Sequence, residues 1–166
     1  LVIDEVEGDV INPDKLSISF VGSFGTGFAI KASLISLGDV GYMTNPVTGV
    51  WGKGPTGVSS MGFFDPSGGI VAMMAQVGQV RLLNGAPGVR GVYRIGGALP
   101  AEALAPLVGT TLADVTVQVE LTIDADDLFL LEARFAGAVT PTDSDDVVRV
   151  ITLSAFDEPV SIEAPL

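Results

Sequence analysis

Short runs in which apolar and small polar residues alternate, each cut off by glycine or proline, constrain this chain more than any other feature of its 166 residues. In Lys15 to Gly22, Leu16, Ile18 and Phe20 fall on one side and Ser17 and Ser19 on the other, the period of two of a strand with one buried face. Phe28, Ile30, Ala32 and Leu34 repeat the pattern beyond the turn Gly22 to Gly27, so the two segments read as a hairpin. Val40 to Thr44 reads as a third strand ended by Asn45-Pro46, and Gly49 to Gly57 as a loop.

A second hairpin joins Val115 to Ile123 with Leu128 to Phe135 around Asp124-Ala125-Asp126-Asp127. Placing Val117, Val119 and Leu121 on one side with Phe129, Leu131, Ala133 and Phe135 requires an odd loop, of about three or five residues. A last strand, Val147 to Phe156, follows the acidic loop Thr140 to Asp146. Two segments have helical spacing instead. Pro66 to Val77 carries Ile70, Met73, Met74 and Val77 with no charge, and Pro100 to Val108 has Pro in its first turn with Leu104 and Leu107 facing inward. Antiparallel strands with helical insertions make an α+β protein, and the length suits one domain over residues 1–166.

Hydrophobic residues make up 48% of the chain and charged residues only 17%, with a mean hydropathy of +0.53. A membrane helix needs roughly 20 consecutive apolar residues, and the longest uncharged stretches, Leu16 to Ile30 and Pro66 to Val80, are broken by Gly, Ser or Pro. The surplus apolar surface therefore belongs inside the fold or along a cleft. Met73 and Met74 suit an irregular apolar partner, being flexible and polarizable, although the same spacing also describes a packed core.

The formal charge of −12 repels nucleic acid and anionic bilayers. With no His and no Cys, the chain lacks the bases and nucleophiles of Ser-His-Asp or Cys-His catalysis and the usual zinc ligands. Asp124, Asp126 and Asp127, and Asp143, Asp145 and Asp146, cluster in loops, where carboxylates ordinarily form turns and keep the surface wet. A calcium loop would need a Gly and a distal Glu that are missing here. Gly22, Gly25 and Gly27 lie between two strands, not between a strand and a helix, and Gly52-Lys53-Gly54 lacks the Ser or Thr of a phosphate loop, so both read as turns. No cofactor or metal is expected.

The stretch Tyr42-Met-Thr-Asn-Pro-Val-Thr-Gly-Val-Trp-Gly-Lys-Gly-Pro55 resembles the signature region of the actinobacterial LppX/LprA/LprF/LprG lipoprotein family. Phe64-Asp65-Pro66-Ser67-Gly68-Gly69 is similar to the entry of that family's cavity-lining helix, and Arg90 to Gly97 to the strand before its "PAEAL"-like helix, here Pro100 to Leu104. Arg149 to Val160, closing with Ala164-Pro165, resembles its C-terminal strand and tail, so the likeness runs from about Val6 to Pro165.

The resemblance implies a half-barrel similar to the LolA/LolB carriers: a strongly curved antiparallel sheet with short helices over its concave face and an apolar cavity between them. It further implies non-catalytic binding and carriage of acylated lipid or glycolipid on the extracytoplasmic face of the cell envelope. The lipobox cysteine, first helix and first strand of the family are expected to lie outside this chain, with membrane association through an N-terminal lipid anchor and an envelope transporter as partner. The expected lipid-binding wall is Ile18, Phe20, Phe28, Ile30, Leu34, Ile70, Met73, Met74, Val77, Leu104, Val117, Val119, Phe129, Leu131 and Phe135. The alternative is a structural or adaptor lipoprotein with a packed interior that binds another envelope protein.

Overall fold

A computed structural model describes residues 2–12, 14–24, 27–54, 69–83 and 91–165, and among these described residues lie ten strands and three short helical segments. Two compact units result: Leu1–Asp65 with Pro159–Leu166, and Pro66–Glu158. Each contains its own open five-stranded antiparallel sheet, whereas the family resemblance implied one strongly curved sheet.

The first sheet runs in chain order through β1 (Val2–Ile11), β2 (Lys15–Phe24), β3 (Phe28–Leu37), β4 (Val40–Thr44) and β5 (Trp51–Lys53). The hairpin read from the alternation of β2 and β3 forms, with Ile18 opposite Leu34 and Phe20 opposite Ala32. Two strands escape the sequence pattern. In β1 a bulge between Ile3 and Glu5 shifts the alternation by one residue, and both Ile3 and Val6 come to face the same way. In the expected loop 49–57, β5 forms because Asn45 folds the chain back on itself. Its side-chain Oδ1 accepts the N–H groups of Val47 and Thr48, Gly49 adopts φ +70°, and the Asn45 N–H donates to Val50.

The polar face of this sheet is charged at its β1 edge, where Glu5, Glu7 and Asp9 stand opposite Val21, Ser19 and Ser17. The Ser19 and Ser33 hydroxyls hydrogen-bond across β2 and β3 on this face at 2.9 Å. Gly8 is required by crowding: a Cβ there would sit 2.0 Å from the Ser17 carbonyl oxygen. The returning tail contributes Ile162, which is buried in this unit.

The second sheet has the order β10-β9-β8-β7-β6, with β6 (Gly78–Leu82), β7 (Val92–Pro100), β8 (Thr116–Asp124), β9 (Leu130–Ala136) and β10 (Val148–Thr152). The β8–β9 connection is five residues long, 125–129, one of the two odd lengths expected. Asp124 builds it by accepting the N–H groups of Asp126 and Asp127 at 2.8 and 3.0 Å. The last strand is shorter than expected, because Ala155 and Asp157 take positive φ and end the extended run.

The helices are short. Helix α1 spans Ile70–Met74 and ends before the expected Val77; no side chain caps its start at Gly69, and the strand beginning at Gly78 takes over the chain. Its outer side is open, with Val71 exposed, so the helix is not covered on all sides as its lack of charge suggested. Residues 55–68, where the expected helix began, lie outside the described residues. A 3-10 turn, Ala101–Leu104, leads into α2 (Ala105–Val108), giving the helical segment read at 100–108. None of the described helices is long and apolar enough to cross a membrane.

Two adjacent glycines in β7 set how closely the chain packs there. A Cβ on Gly97 would lie 2.4 Å from Val77 Cγ1, and one on Gly96 would lie 2.9 Å from Leu83 Cδ2. Successive residues of a strand point to opposite faces, so Val77 presses onto one face of the sheet and Leu83 onto the other.

Candidate functional site

Residues directly opposite in antiparallel strands project to the same face, so the register assigns every strand residue to a face. In the first unit Ile18, Phe20, Phe28, Ile30 and Leu34 share one face, together with Leu16, Ala32 and Ser36. Register adds Ile3, Val6 and Val10 from β1 and Met43 from β4, residues that the sequence pattern did not identify. No paired strand position on this face carries a charge.

Burial along this face is graded. At one end Leu16, Ala32, Leu34 and Ser36 are buried; in the middle Ile18, Phe20 and Ile30 are half-buried. At the other end Ile3 is 50%, Val6 53% and Phe28 67% exposed. An apolar surface closed at one end and open at the other is suited to hydrocarbon, which gains from leaving water and needs no directional partner.

In the second unit Val117, Val119 and Phe135 share the apolar face of the sheet with Leu99, Leu121 and Ala133, and all six are buried. Leu104 is buried in the 3-10 turn, Met73 in α1, and Ile70, Met74 and Val77 are half-buried. Val77 lies beyond the helix and rests on Gly97.

Phe129 does not follow the expected alternation, whereas Leu131 keeps the parity of Ala133 and Phe135 within β9. Leu128 adopts φ +59°, Phe129 stays outside β9 with its ring stacked on Phe156 at 4.5 Å, and the register shift places Leu130, not Leu131, opposite Ile123. Alternation was read through a bulge that sequence does not mark.

The same apolar face holds one ion pair. Arg149 stands opposite Phe135 and donates from Nη2 to both oxygens of Asp143 at 2.8 Å, with side chains only 23% and 10% exposed. Asp143 also accepts the N–H groups of Val139 and Thr140 and the Thr140 hydroxyl. Burial pushes its carboxyl up, but the Arg149 guanidinium and these donors outweigh burial and hold it well below the usual carboxylate range. Asp124, in the other acidic cluster, is likewise lowered by the Asp127 and Asp126 N–H groups. Both carboxylates serve their loops, and among the described residues no three acidic groups converge as a metal-ligand set. Of the glycine clusters, Gly22 lies in β2 and Gly52 and Lys53 in β5, while Gly25 is outside the described residues.

A search of curated proteins finds no match. Among solved structures, the lipoprotein LppX of Mycobacterium tuberculosis is similar in fold, with a TM-score of 0.60 at 17% identity, over 97% of this chain and 80% of that one. The profile of the LppX/LprA/LprF/LprG lipoproteins matches residues 1–162. The succession of motifs, the antiparallel sheets with few helices and this match over almost the whole length agree: the chain belongs to the LppX/LprA/LprF/LprG lipoprotein family.

Proposed function

We propose that this protein binds and carries acylated lipid or glycolipid in the cell envelope, without catalysis, its acyl chains held in an apolar cavity. The observation that carries the reading is the charge-free face of the first sheet, buried at Leu16 and Leu34 and open at Ile3, Val6 and Phe28. A soluble monomer rarely leaves such a continuous surface uncovered unless something binds there. In the second unit the candidate lining is the face bearing Val117, Val119 and Phe135, with α1 and the segment 101–108, and membership of the family is what supports a LolA-like half-barrel. Met73 and Met74 adapt that lining to chains of differing shape.

At about 0.8 kcal/mol per buried methylene, a sixteen-carbon chain gains on the order of 10 kcal/mol before ordering costs, enough to hold a lipid without a covalent step. In this reading residues 1–166 work as one lipid-binding domain. An N-terminal lipid anchor upstream tethers it to the extracytoplasmic face of the membrane, and an envelope transporter is its partner. The absence of His and Cys supports a role without chemistry.

A second reading is an adaptor that binds another envelope protein. It draws support from the edge strand β10, whose Val148 and Val150 are exposed. Native mass spectrometry of the purified protein, with lipid analysis of its organic extract, separates the two. Carriage requires a stoichiometric co-purifying lipid, and its consistent absence after expression in a lipid-rich envelope favours the adaptor.

A further inference from the structure

The polar face of the second sheet carries a feature that lipid carriage does not use. Arg81, Gly96, Glu120 and Arg134 stand directly opposite one another across β6, β7, β8 and β9 and form one row on that face. Leu83 packs onto Gly96, and beside this contact the row borders a depression of about 150 Å³ lined by Arg81, Leu83, Gly96, Gln118, Glu120 and Arg134. At roughly 30 Å³ per water that space holds about five waters, ample for a tetrahedral oxyanion.

Charge on this row is unevenly satisfied. Arg94 pairs with Glu120 through both Nε and Nη2 and neutralises the one carboxylate in the row. Arg81 and Arg134 make no ion pair or side-chain hydrogen bond with any described residue, although the chain has 20 acidic residues. Three strand spacings separate them, about 14 Å between backbones, and two extended arginines on opposite sides can converge on an anion between them. The net charge of −12 opposes an anion weakly, because screening confines the repulsion to carboxylates within about 8 Å at physiological ionic strength.

We propose that this depression binds a phosphate or phosphomonoester group, with Arg81 and Arg134 donating to its oxygens and the Gln118 amide adding a neutral donor. The site lies on the face of the second sheet opposite that sheet's apolar face and does not depend on the carrier reading. Its ligand is a free phosphate compound or the headgroup of a phosphomonoester lipid, which share this chemistry.

The test is a titration of the whole chain with inorganic phosphate at constant ionic strength, followed by amide NMR. Saturable shifts at Gly96, Gln118 and Ala136 are expected. Arg81→Gln and Arg134→Gln should each weaken phosphate binding about tenfold, the loss of a charge-assisted hydrogen bond, with the unfolding midpoint unchanged. Glu120→Gln should tighten binding, an effect that a purely structural role for this row does not produce. Shifts reproduced by chloride, or glutamine variants that bind phosphate like the parent, overturn the proposal. Displacement of phosphate by phosphatidylcholine vesicles containing phosphatidic acid, and not by phosphatidylcholine alone, assigns the ligand to a headgroup; no displacement assigns it to a free phosphate compound.

Discussion

Replacing Asp143 with Asn should destabilise the second unit far more than an isosteric change at a loop position ordinarily does. The carboxylate accepts five short hydrogen bonds, two of them from Arg149 Nη2, and the pair is largely withdrawn from water. Arg149 Nη1 is buried with no partner already, so the guanidinium depends on Asp143 for its compensation. Breaking a pair of this kind from one side costs about 3 kcal/mol, because the remaining charge stays buried. For a chain of this length that corresponds to a fall of about 6–12 °C in Tm.

The assay is urea unfolding followed by circular dichroism, on Asp143→Asn, Arg149→Met and the double variant. The double variant should be more stable than Asp143→Asn alone, since it removes the orphaned charge as well. A loss below about 1 kcal/mol for Asp143→Asn, or additive single effects, would refute the reasoning. The pH dependence has a fixed sign. A carboxyl held below its unfolded value of 3.8 contributes fully above that pH and loses its contribution as the pH falls further. Acid should therefore destabilise the parent more steeply than Asp143→Asn below about pH 4.

Four other substitutions have definite expectations. Gly97→Ala places a methyl group against Val77 Cγ1 and the Gly78 carbonyl and should cost about 1–3 kcal/mol in urea unfolding, more than Gly96→Ala, which meets only the half-exposed end of Leu83. Phe28→Ser should leave stability within about 0.5 kcal/mol, because the ring is mostly exposed, while lowering the lipid retained in native mass spectra. Met74→Trp should reduce lipid uptake by filling space on the proposed lining, with the fold retained by circular dichroism; unfolding of this variant with no lipid ever found in the parent would favour a packed interior.

Legibility followed the regularity of the backbone. The β2–β3 hairpin, β4, most of the β8–β9 hairpin and the helical segment after Pro100 were readable because alternation or helical spacing continues through them, broken only by the bulge beside the β8–β9 loop. The rest was hidden wherever one residue shifts the phase. The bulge near Asp4 masks β1, a second bulge and φ +52° at Gln79 mask β6, and φ +59° at Leu128 turns Phe129 away from its expected side. Strand β10 shows another kind of failure. Alternation in Val148-Arg149-Val150 suggests that the valines face inward, yet Arg149 takes the apolar face because Asp143 is there to receive it, and both valines are exposed. Of the candidate wall, the residues on regular strands fall together on their faces, whereas the open end contributed by Ile3 and Val6 was invisible without the register.

The acidic margin of β1 bears on how such a molecule avoids clumping. A long outermost strand ordinarily invites a second copy to extend the sheet, and here it borders a greasy surface that would reward contact. Aligning two β1 margins would crowd Glu5, Glu7 and Asp9 of one molecule against those of the next, and the kink at Asp4 would spoil the ladder at its end. Repulsion between copies thus leaves the oily surface free for smaller, uncharged occupants.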